Sequence, residues 1–182
     1  MTLRVATART VIRPALHTDA AALLRYRNDN RAHLAAWEPQ RDASWYTLEQ
    51  CLRNILEGQL AMREDRGYPL LVFAPEAREI IGTFTFANLV RGAFQACHLG
   101  YGIAAAWQGQ GLMQEALEAG LAWAFDELGM HRVMANFLPR NVRSGRLLQR
   151  LGFEREGYAR QYLKIAGVWE DHVLTARIRP AD

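Results

Sequence analysis

The sequence predicts a fold of the α+β class, a mixed sheet with helices on both faces. Segments with strand and helix patterns follow one another in the order β-α-α-β-β-β-α-β-α-β-β, which is neither a strict βαβ alternation nor an all-β arrangement. The chain has 182 residues, and a domain of that size buries roughly 70% of the surface that its unfolded chain exposes. No repeat or linker interrupts it, so we expect a single domain over residues 1–182.

The first part of the chain is predicted to hold one strand and three helices. In order, these elements cover residues 9–14, 20–27, 30–37 and 47–66. Pro14 is expected to end the strand and Pro39 the second helix, because proline lacks the backbone N–H that either element needs to continue its hydrogen bonds. Thr18 and Asp19 form a favoured N-cap pair for the first helix. Apolar side chains at helical spacing after Thr47 predict the third helix.

The second part alternates between strands and helices. Strands are predicted over residues 68–74, 79–88, 95–104 and 132–138, and helices over residues 111–128 and 142–151. Two final strands cover residues 153–158, extending toward 165, and residues 169–178. Hairpin turns are expected at residues 75–78 and at Ala166-Gly167, and Gly152 is expected to cap the helix before it.

Composition excludes several classes of protein. The net charge is +3, from 22 Lys and Arg against 19 Asp and Glu, too small an excess to indicate a nucleic-acid-binding protein by itself. The two cysteines, in no CxxC pattern, and five histidines without ligand spacing predict neither a disulfide scaffold nor a metal site. No run of about 18 apolar residues occurs, so we expect a cytoplasmic protein without a membrane segment.

The most informative segment joins a strand to a helix through a turn with two glycines. The strand that ends at Ile103 leads into Gly109 and Gly111, which allow backbone conformations that a Cβ resists. The turn and the first residues of the helix then present unbonded N–H groups, and the helix dipole adds positive potential. The segment is therefore a candidate anion site, suited to a pyrophosphate.

Two familiar phosphate loops do not fit this turn. A Walker A loop needs Lys and then Ser or Thr after its last glycine, whereas Leu112 and Met113 follow Gly111. A dinucleotide-binding GxGxxG loop needs a third glycine, and Gln114 stands in its place. On the glycines alone, an ordinary strand-to-helix turn without a ligand is the simpler interpretation.

The segment Gln108-Gly109-Gln110-Gly111-Leu112-Met113 resembles the acetyl-CoA signature of the GCN-related N-acetyltransferase (GNAT) superfamily, Gln/Arg-x-x-Gly-x-Gly/Ala. Met113 departs from it, because Gly or Ala is usual there. The downstream stretches Asn141-Val142-Arg143-Ser144 and Gly152-Phe153 also match the family. The resemblance runs to Ile178 and is strongest to the RimJ-type branch, which acetylates the N-terminal alanine of ribosomal proteins.

This resemblance implies a GNAT fold, whose central sheet of about seven strands is splayed in the middle. It implies acetyl-CoA as co-substrate, with pantetheine beside Ile103 like an added strand. Asn141 is expected to reach the pantetheine arm, since an amide both donates and accepts hydrogen bonds. The residues expected to hold the pyrophosphate are Gln108, Gly109, Gln110, Gly111, Leu112 and Met113.

Two catalytic roles follow from the resemblance and from the chemistry of acetyl transfer. The amine must lose a proton, and the departing thiolate benefits from a hydrogen bond. Ser144 is the candidate on the thiol side, although Ser also favours helix starts. Glu38 is preferred as the base over His98 and the Asp171-His172 pair. Glu38 has a second possible role, as ion-pair partner of a cationic N-terminus.

Four further side chains have two interpretations each. Arg140 and Arg143 are candidates for the 3′-phosphate of CoA or belong to a solvated face. Trp37 and Trp45 are candidates for a peptide-binding wall or pack under a loop. Cys97 is expected to be buried and inert, which argues against a covalent acetyl-cysteine route.

The function predicted is acetyl transfer from acetyl-CoA to the N-terminal α-amine of a protein, with alanine on a small-subunit ribosomal protein as the expected acceptor. The amine attacks the thioester directly. The alternatives are an acetyltransferase for a small amine (an antibiotic, a polyamine or an amino acid) and a binding module without turnover. The arginine-rich segment 140–146 is the one feature that favours RNA binding, and no direct nucleic-acid contact is predicted. A monomer and a dimer both remain open.

Overall fold

The computed structural model describes residues 4–74 and 79–180. Eight strands lie in these residues: β1 Val5–Ala6, β2 Val11–Pro14, β3 Gly67–Phe73, β4 Ile80–Val90, β5 Ala96–Ile103, β6 Arg132–Met134, β7 Glu154–Ile165 and β8 Val168–Ile178. The α-helices among them are α1 Ala20–Asp29, α2 Arg31–Leu34, α3 Leu48–Arg63, α4 Leu112–Asp126 and α5 Val142–Arg150. Short 3-10 turns cover His17–Asp19, Ala43–Tyr46 and Ala105–Trp107.

The strands form one sheet in the order β1-β2-β3-β4-β5-β6-β8-β7. Neighbours are antiparallel except β5 and β6, which are parallel. The predicted mixed sheet is confirmed, with one strand more than the seven expected. The additional strand is β1, whose two residues are too few to produce an alternating pattern in the sequence.

Helices pack on both faces of the sheet, as predicted. On one face, α4 buries Leu117 and Leu121 against Phe84 and Phe86 of β4. On the other face, α1 and α3 pack against a second apolar cluster that contains Leu71 of β3. Successive side chains of a strand point to opposite faces, so the continuous apolar run of β3 supplies both cores. The sheet is thereby fixed from both sides around its centre.

The sheet is splayed where β5 and β6 separate. The two strands pair at only three positions, the last being His98 with Met134. β5 then continues to Ile103 alongside β4, whereas β6 ends, and the following chain pairs with β8 through Phe137 and Val173. The predicted strand over residues 132–138 is therefore interrupted. We call the resulting gap, between β5 beyond His98 and the chain beyond Met134, the wedge.

Two turns predicted from the sequence are confirmed, and one predicted helix cap is wrong. Gly152, after α5, and Gly167, in the β7–β8 turn, both have positive φ angles, as their predicted roles require. Asp19 does not cap α1 with its side chain. Its carboxylate instead accepts hydrogen bonds from the Leu16 amide and the Arg13 guanidinium, because a charged partner competes successfully for it. The predicted turn at residues 75–78 lies outside the described residues.

None of the helices described here is long and apolar enough to cross a membrane.

Candidate functional site

The turn between β5 and α4 is the centre of the site, and we call residues 108–111 the glycine turn. Gly109 and Gly111 have φ angles of 75° and 76°. A Cβ on Gly109 would meet no atom within 4 Å, so the requirement for glycine is conformational and not steric crowding by neighbours. Gly111 is the N-cap of α4 and has the left-handed conformation. This is a conformation that a Cβ resists, as the glycine at this position predicted.

Several backbone amides of this turn and of the first helical residues form no hydrogen bond with a backbone carbonyl of the described residues. The Gln108 amide donates to the Ala105 carbonyl at 3.3 Å, and the Glu115 amide donates to the Gly111 carbonyl at 3.1 Å. Between them, the amides of residues 109–114 have no backbone acceptor in the described part of the chain. A row of free amides at the start of a 15-residue helix is an anion-binding arrangement.

A salt bridge from the first residues of the chain holds the glycine turn in place. The Arg9 guanidinium donates to the Gln110 carbonyl at 2.9 Å and to the Glu115 carboxylate at 2.7 Å. That carboxylate also accepts from Thr7 and from the Arg9 amide. These hydrogen bonds keep the pKa of Glu115 below its usual range, so it stays charged. The sequence analysis did not predict these hydrogen bonds of Arg9 with Glu115 and Gln110. Their only signal in the sequence is an acidic residue in the first helical turn.

Gln108 connects the glycine turn to two helices. Its side-chain nitrogen lies 2.9 Å from Nε2 of His33 at α2, and its side-chain oxygen accepts from Arg143 of α5 at 2.5 Å. Arg143 therefore places positive charge next to the free amides. Arg143 is exposed, and its role at the 3′-phosphate of CoA stays a prediction beside the solvated-face alternative.

Ser144 meets a second hydroxyl that the sequence analysis did not select. Its Oγ lies 2.7 Å from the Tyr101 hydroxyl, which links α5 to β5 beyond the point where β5 and β6 separate. Burial raises the pKa of Tyr101 to about 12, with the Ser144 hydrogen bond opposing that rise, so the phenol is protonated at neutral pH. Asn141 caps α5 by accepting from the Ser144 amide at 3.1 Å. The only signal for Tyr101 was a polar aromatic residue within an otherwise apolar strand.

Glu38 lies on the opposite face of β5. A Cβ placed on Gly102 would lie 4.0 Å from a Glu38 carboxylate oxygen and 3.8 Å from the Tyr26 hydroxyl. Burial raises the pKa of Glu38, and the nearby Arg41 and Arg27 oppose the rise. The Tyr26 hydroxyl is buried beside Thr83 and forms no well-aligned hydrogen bond in the part of the chain that the structure describes. A buried hydroxyl without a partner is available to a ligand.

A cavity of about 350 Å³ opens beside Glu38 and Tyr26, and we call it the Glu38 cavity. This volume is at the low end of the range of about 300–1,000 Å³ for small-molecule sites. Its wall includes Trp45 and Thr83, and the β7–β8 turn closes one side, where the Ala166 amide donates to the Glu38 carbonyl at 3.0 Å. Ser144 and Tyr101 therefore lie on one face of β5, and Glu38 with its cavity lies on the other.

The chain is similar to known proteins over nearly its whole length. The sequence model of the acetyltransferase (GNAT) domain matches residues 9–154. The chain is 45% identical to the ribosomal protein uS5-alanine N-acetyltransferase of Escherichia coli (strain K12), over 98% of this chain and 92% of that protein.

Two solved structures are similar over nearly the whole chain. The ribosomal-protein-S5-alanine acetyltransferase of Vibrio fischeri has a TM-score of 0.93 and 34% identity, covering 98% of this chain and 100% of the other. Mycobacterium smegmatis RimJ in complex with CoA-disulfide has a TM-score of 0.89 and 30% identity, covering 98% and 86%.

The chain belongs to the GNAT acetyltransferase family. The resemblance identified from the glycine turn and the segment after Asn141 is confirmed, and so is the prediction of an N-acetyltransferase.

In this acetyltransferase the other candidate bases lie elsewhere. Asp171 is half-buried and accepts from Tyr158 and from the Gln161 amide, whereas the His172 ring lies 3.0 Å from the Glu170 carbonyl. Burial lowers the pKa of His98, whose Nδ1 has no partner among the described residues. None of these candidates lines the Glu38 cavity.

The remaining candidates are Arg140, the two tryptophans and Cys97. Arg140 contacts Glu170 at 2.8 Å and the Ala36 carbonyl at 3.2 Å, and does not contact the glycine turn as Arg143 does. The Arg140 guanidinium lies 5.6 Å from the Trp37 ring, whereas Trp45 lines the cavity. Cys97 is fully buried, and burial raises its pKa to about 12, which disfavours a thiolate nucleophile.

In the described residues, no three His, Cys, Asp or Glu side chains come together as a metal site requires.

Proposed function

We propose that this acetyltransferase moves an acetyl group from acetyl-CoA to the N-terminal α-amine of a protein, with alanine on a small-subunit ribosomal protein as the expected acceptor. The names of its relatives from E. coli and V. fischeri support this acceptor. The observation that carries the proposal is the arrangement of polar groups on the two faces of β5. A hydroxyl pair lies on one face of β5 and a carboxylate lies on the other.

The glycine turn fits the pyrophosphate of CoA. Its free amides and the Arg143 guanidinium supply donors and positive charge. The β5 edge that faces the wedge at Ile103 has no strand partner in the described chain, so pantetheine can pair with it. The Asn141 oxygen caps α5, which leaves the amide nitrogen to donate to the pantetheine arm. The residues proposed to bind the cofactor are Ile103, Gln108, Gly109, Gln110, Gly111, Leu112, Met113 and Asn141.

Glu38 and Tyr26 receive the amine in this proposal. When bound, acetyl-CoA supplies a thioester whose carbonyl carbon is open to an amine lone pair. An α-amine has a pKa of about 7.7–8.0, so only modest help is needed to remove its proton. The pKa of Glu38 is raised by burial, which makes its carboxylate a better proton acceptor. The unpaired Tyr26 hydroxyl oxygen accepts an N–H of the amine and fixes its direction.

Ser144 and Tyr101 serve the thiol side. The two hydroxyls are already hydrogen-bonded, and Tyr101 is protonated at neutral pH. Ser144 donates a hydrogen bond to the departing sulfur, Tyr101 donates a hydrogen bond to Ser144 in turn, and the thiolate leaves and takes its proton from water. A hydrogen bond to a developing negative charge is worth more in a site without water than in solution.

The test is an acetyl-transfer assay that measures released CoA as free thiol. The acceptors are peptides that begin with Ala, Ser or Asp and a panel of small amines, and the control enzyme is Ser144→Ala. We expect turnover of the Ala peptide, reduced in Ser144→Ala. Turnover of small amines alone would contradict the proposed acceptor. Binding of acetyl-CoA without turnover of any acceptor, including the folded ribosomal protein, would contradict an enzymatic role.

A further inference from the structure

Arg27 carries a buried charge that forms no salt bridge in the described residues, and the Glu38 carboxylate attracts it only at longer range. Only 9% of the residue is exposed. Its guanidinium donates to the Trp45 carbonyl at 3.0 Å and to the Cys51 sulfur at 3.4 Å, and it forms no salt bridge in the described part of the chain. A buried cation without an anion is costly, so proteins retain such a group where something else supplies the anion. Arg27 lines the Glu38 cavity.

Two further arginines stand at the same cavity. Arg31 and Arg41 are exposed residues of its lining, and their guanidinium groups stack on Tyr46 at 4.2 Å and on Trp45 at 4.0 Å. Stacking uses the face of a guanidinium and leaves its edge donors free for a carboxylate. Neither arginine forms a salt bridge within the described ranges.

The cavity therefore has an unbalanced charge. Its lining holds three arginines and a single carboxylate, Glu38. If Glu38 takes the acceptor amine, no anion of the lining remains for the arginines. The complementary ligand is a molecule with an amine at one end and a carboxylate a short distance from it.

We propose that the Glu38 cavity recognises a carboxylate on the acceptor, namely an Asp or Glu side chain within the first few residues after the reactive amine. This inference rests on the proposed function and names its acceptor class. Arg27 binds the carboxylate inside the cavity, and Arg31 and Arg41 bind it at the mouth. An extended chain advances about 3.3–3.6 Å per residue, so a cavity of this size accommodates only the first residues of the acceptor.

The experiment compares peptides that begin with Ala and differ by one carboxylate. One peptide carries Gln at positions two, three and four, and three others carry a single Glu at one of those positions. We expect the best Glu peptide to exceed the all-Gln peptide by about tenfold in kcat/KM, mostly through KM, which corresponds to about 1.4 kcal/mol. Because the interaction is between charges, the ratio should fall as salt is added.

Variants locate the recognition. Replacing buried Arg27 can unfold the chain, so Arg31→Gln and Arg41→Gln carry the test. Each should lower the Glu-to-Gln ratio of kcat/KM toward one, and this ratio, rather than the absolute kcat/KM for the all-Gln peptide, is the readout. The matched control is Arg25→Gln, an exposed residue of α1 outside the cavity lining, which should keep the wild-type ratio.

The outcomes separate this inference from the proposed function. Equal kcat/KM for all four peptides, with normal turnover, would overturn the carboxylate recognition and leave N-terminal acetylation intact. Failure to turn over any peptide would overturn both. Free aspartate or glutamate acetylated faster than every peptide would assign the carboxylate to an amino acid and overturn the protein acceptor.

Discussion

Ser144 acquires its chemical role from Tyr101, which is 43 residues away along the chain. The Tyr101 hydroxyl, whose pKa is raised to about 12, stays protonated and can donate a hydrogen bond to Ser144, which leaves the Ser144 proton directed at the sulfur. On the other face of β5, burial also raises the pKa of Glu38. For a carboxylate this favours proton uptake from the amine.

Removing either hydroxyl should slow the chemical step. Ser144→Ala and Tyr101→Phe should each lower kcat by about 10- to 100-fold, a fraction of what general acid catalysis supplies. Because the two hydroxyls act through one hydrogen bond, the double variant should be little worse than either single one. Steady-state kinetics measures this, and losses that multiply would contradict a joint role.

Glu38→Gln should change the shape of the pH profile. In the wild type, kcat/KM requires both a deprotonated amine and a deprotonated Glu38. Activity therefore falls as the square of proton concentration below the raised pKa of Glu38, and only in proportion to it in the variant. The exposed Glu57→Gln, on α3, is the control and should keep the steeper dependence. An unchanged slope in Glu38→Gln would exclude Glu38 as the base.

The glycine turn shows how an element is built for a ligand. Its backbone passes through the left-handed region twice, and the Arg9–Glu115 salt bridge braces it from outside. Neither feature is needed merely to start a helix, because most helices begin with an extended N-cap residue. Together they expose a row of amides that an ordinary turn would use internally.

Two glycines with the same geometry test this interpretation. Gly109 and Gly129 have φ angles of 75° and 71°, and a Cβ at either would meet no atom within 4 Å. Alanine at each position should therefore cost about 1 kcal/mol of unfolding free energy through backbone strain. Only Gly109→Ala should also weaken CoA binding, measured by calorimetry. Equal CoA affinities for the two variants would argue against the turn as the pyrophosphate site.

The start of α1 depends on the ion pair between Arg13 and Asp19. Burial raises the pKa of Asp19, but the Arg13 and Leu16 hydrogen bonds outweigh it, so the pKa lies below its usual range. A lowered carboxyl pKa contributes stability above the unfolded value of about 3.9, and that stability is lost as pH falls through the folded value.

Asp19→Asn should therefore lower the free energy of unfolding at neutral pH by about 2–3 kcal/mol. The difference from the wild type should shrink below about pH 4, where the carboxyl of the unfolded chain takes up a proton before that of the folded chain does. Denaturant unfolding at several pH values measures it. The exposed Asp29→Asn, at the end of α1, should change stability by less than about 0.5 kcal/mol. A difference that persists unchanged into acid would contradict the ion pair.

Across the whole molecule, the two halves of the sheet are joined weakly at the site. β5 and β6 pair at three positions before the wedge opens, whereas β3 and β4 pair along seven. Side-chain links from Gln108 to Arg143 and from Tyr101 to Ser144 span the remaining gap. A ligand that pairs with the free edge of β5 would add backbone hydrogen bonds where the sheet lacks them.

CoA should therefore stabilise the fold as a whole. At about 100 times its Kd, a ligand that binds only the folded state adds about 2.7 kcal/mol. For a chain of this size that raises Tm by about 5–10 °C in a thermal melt. Gly109→Ala should show a smaller rise at the same CoA concentration, and Gly129→Ala the full rise. Inorganic phosphate at that concentration is the control and should leave Tm unchanged, and an absent CoA shift would contradict the site.

The sequence by itself determined the local structure of this protein. Helical and strand periodicities fixed the type of nearly every long element, and Gly109 and Gly111 identified the turn that begins α4. These features depend on residues close together in the chain, where backbone preferences and apolar spacing act directly. β1 and the interrupted strand after Arg132 were not predicted correctly, because short or irregular segments carry little periodic signal.

Only the tertiary structure decided which side chains meet. Arg9 and Glu115 are 106 residues apart, and Tyr101 reaches Ser144 only because β5 and β6 separate. The placement of Glu38 and Tyr26 beside Gly102, and the burial of Arg27 without a salt bridge, likewise follow from the packing of α1 and the loop after α2 over β5. Contacts of this kind depend on how whole elements pack, so no local preference in the chain specifies them.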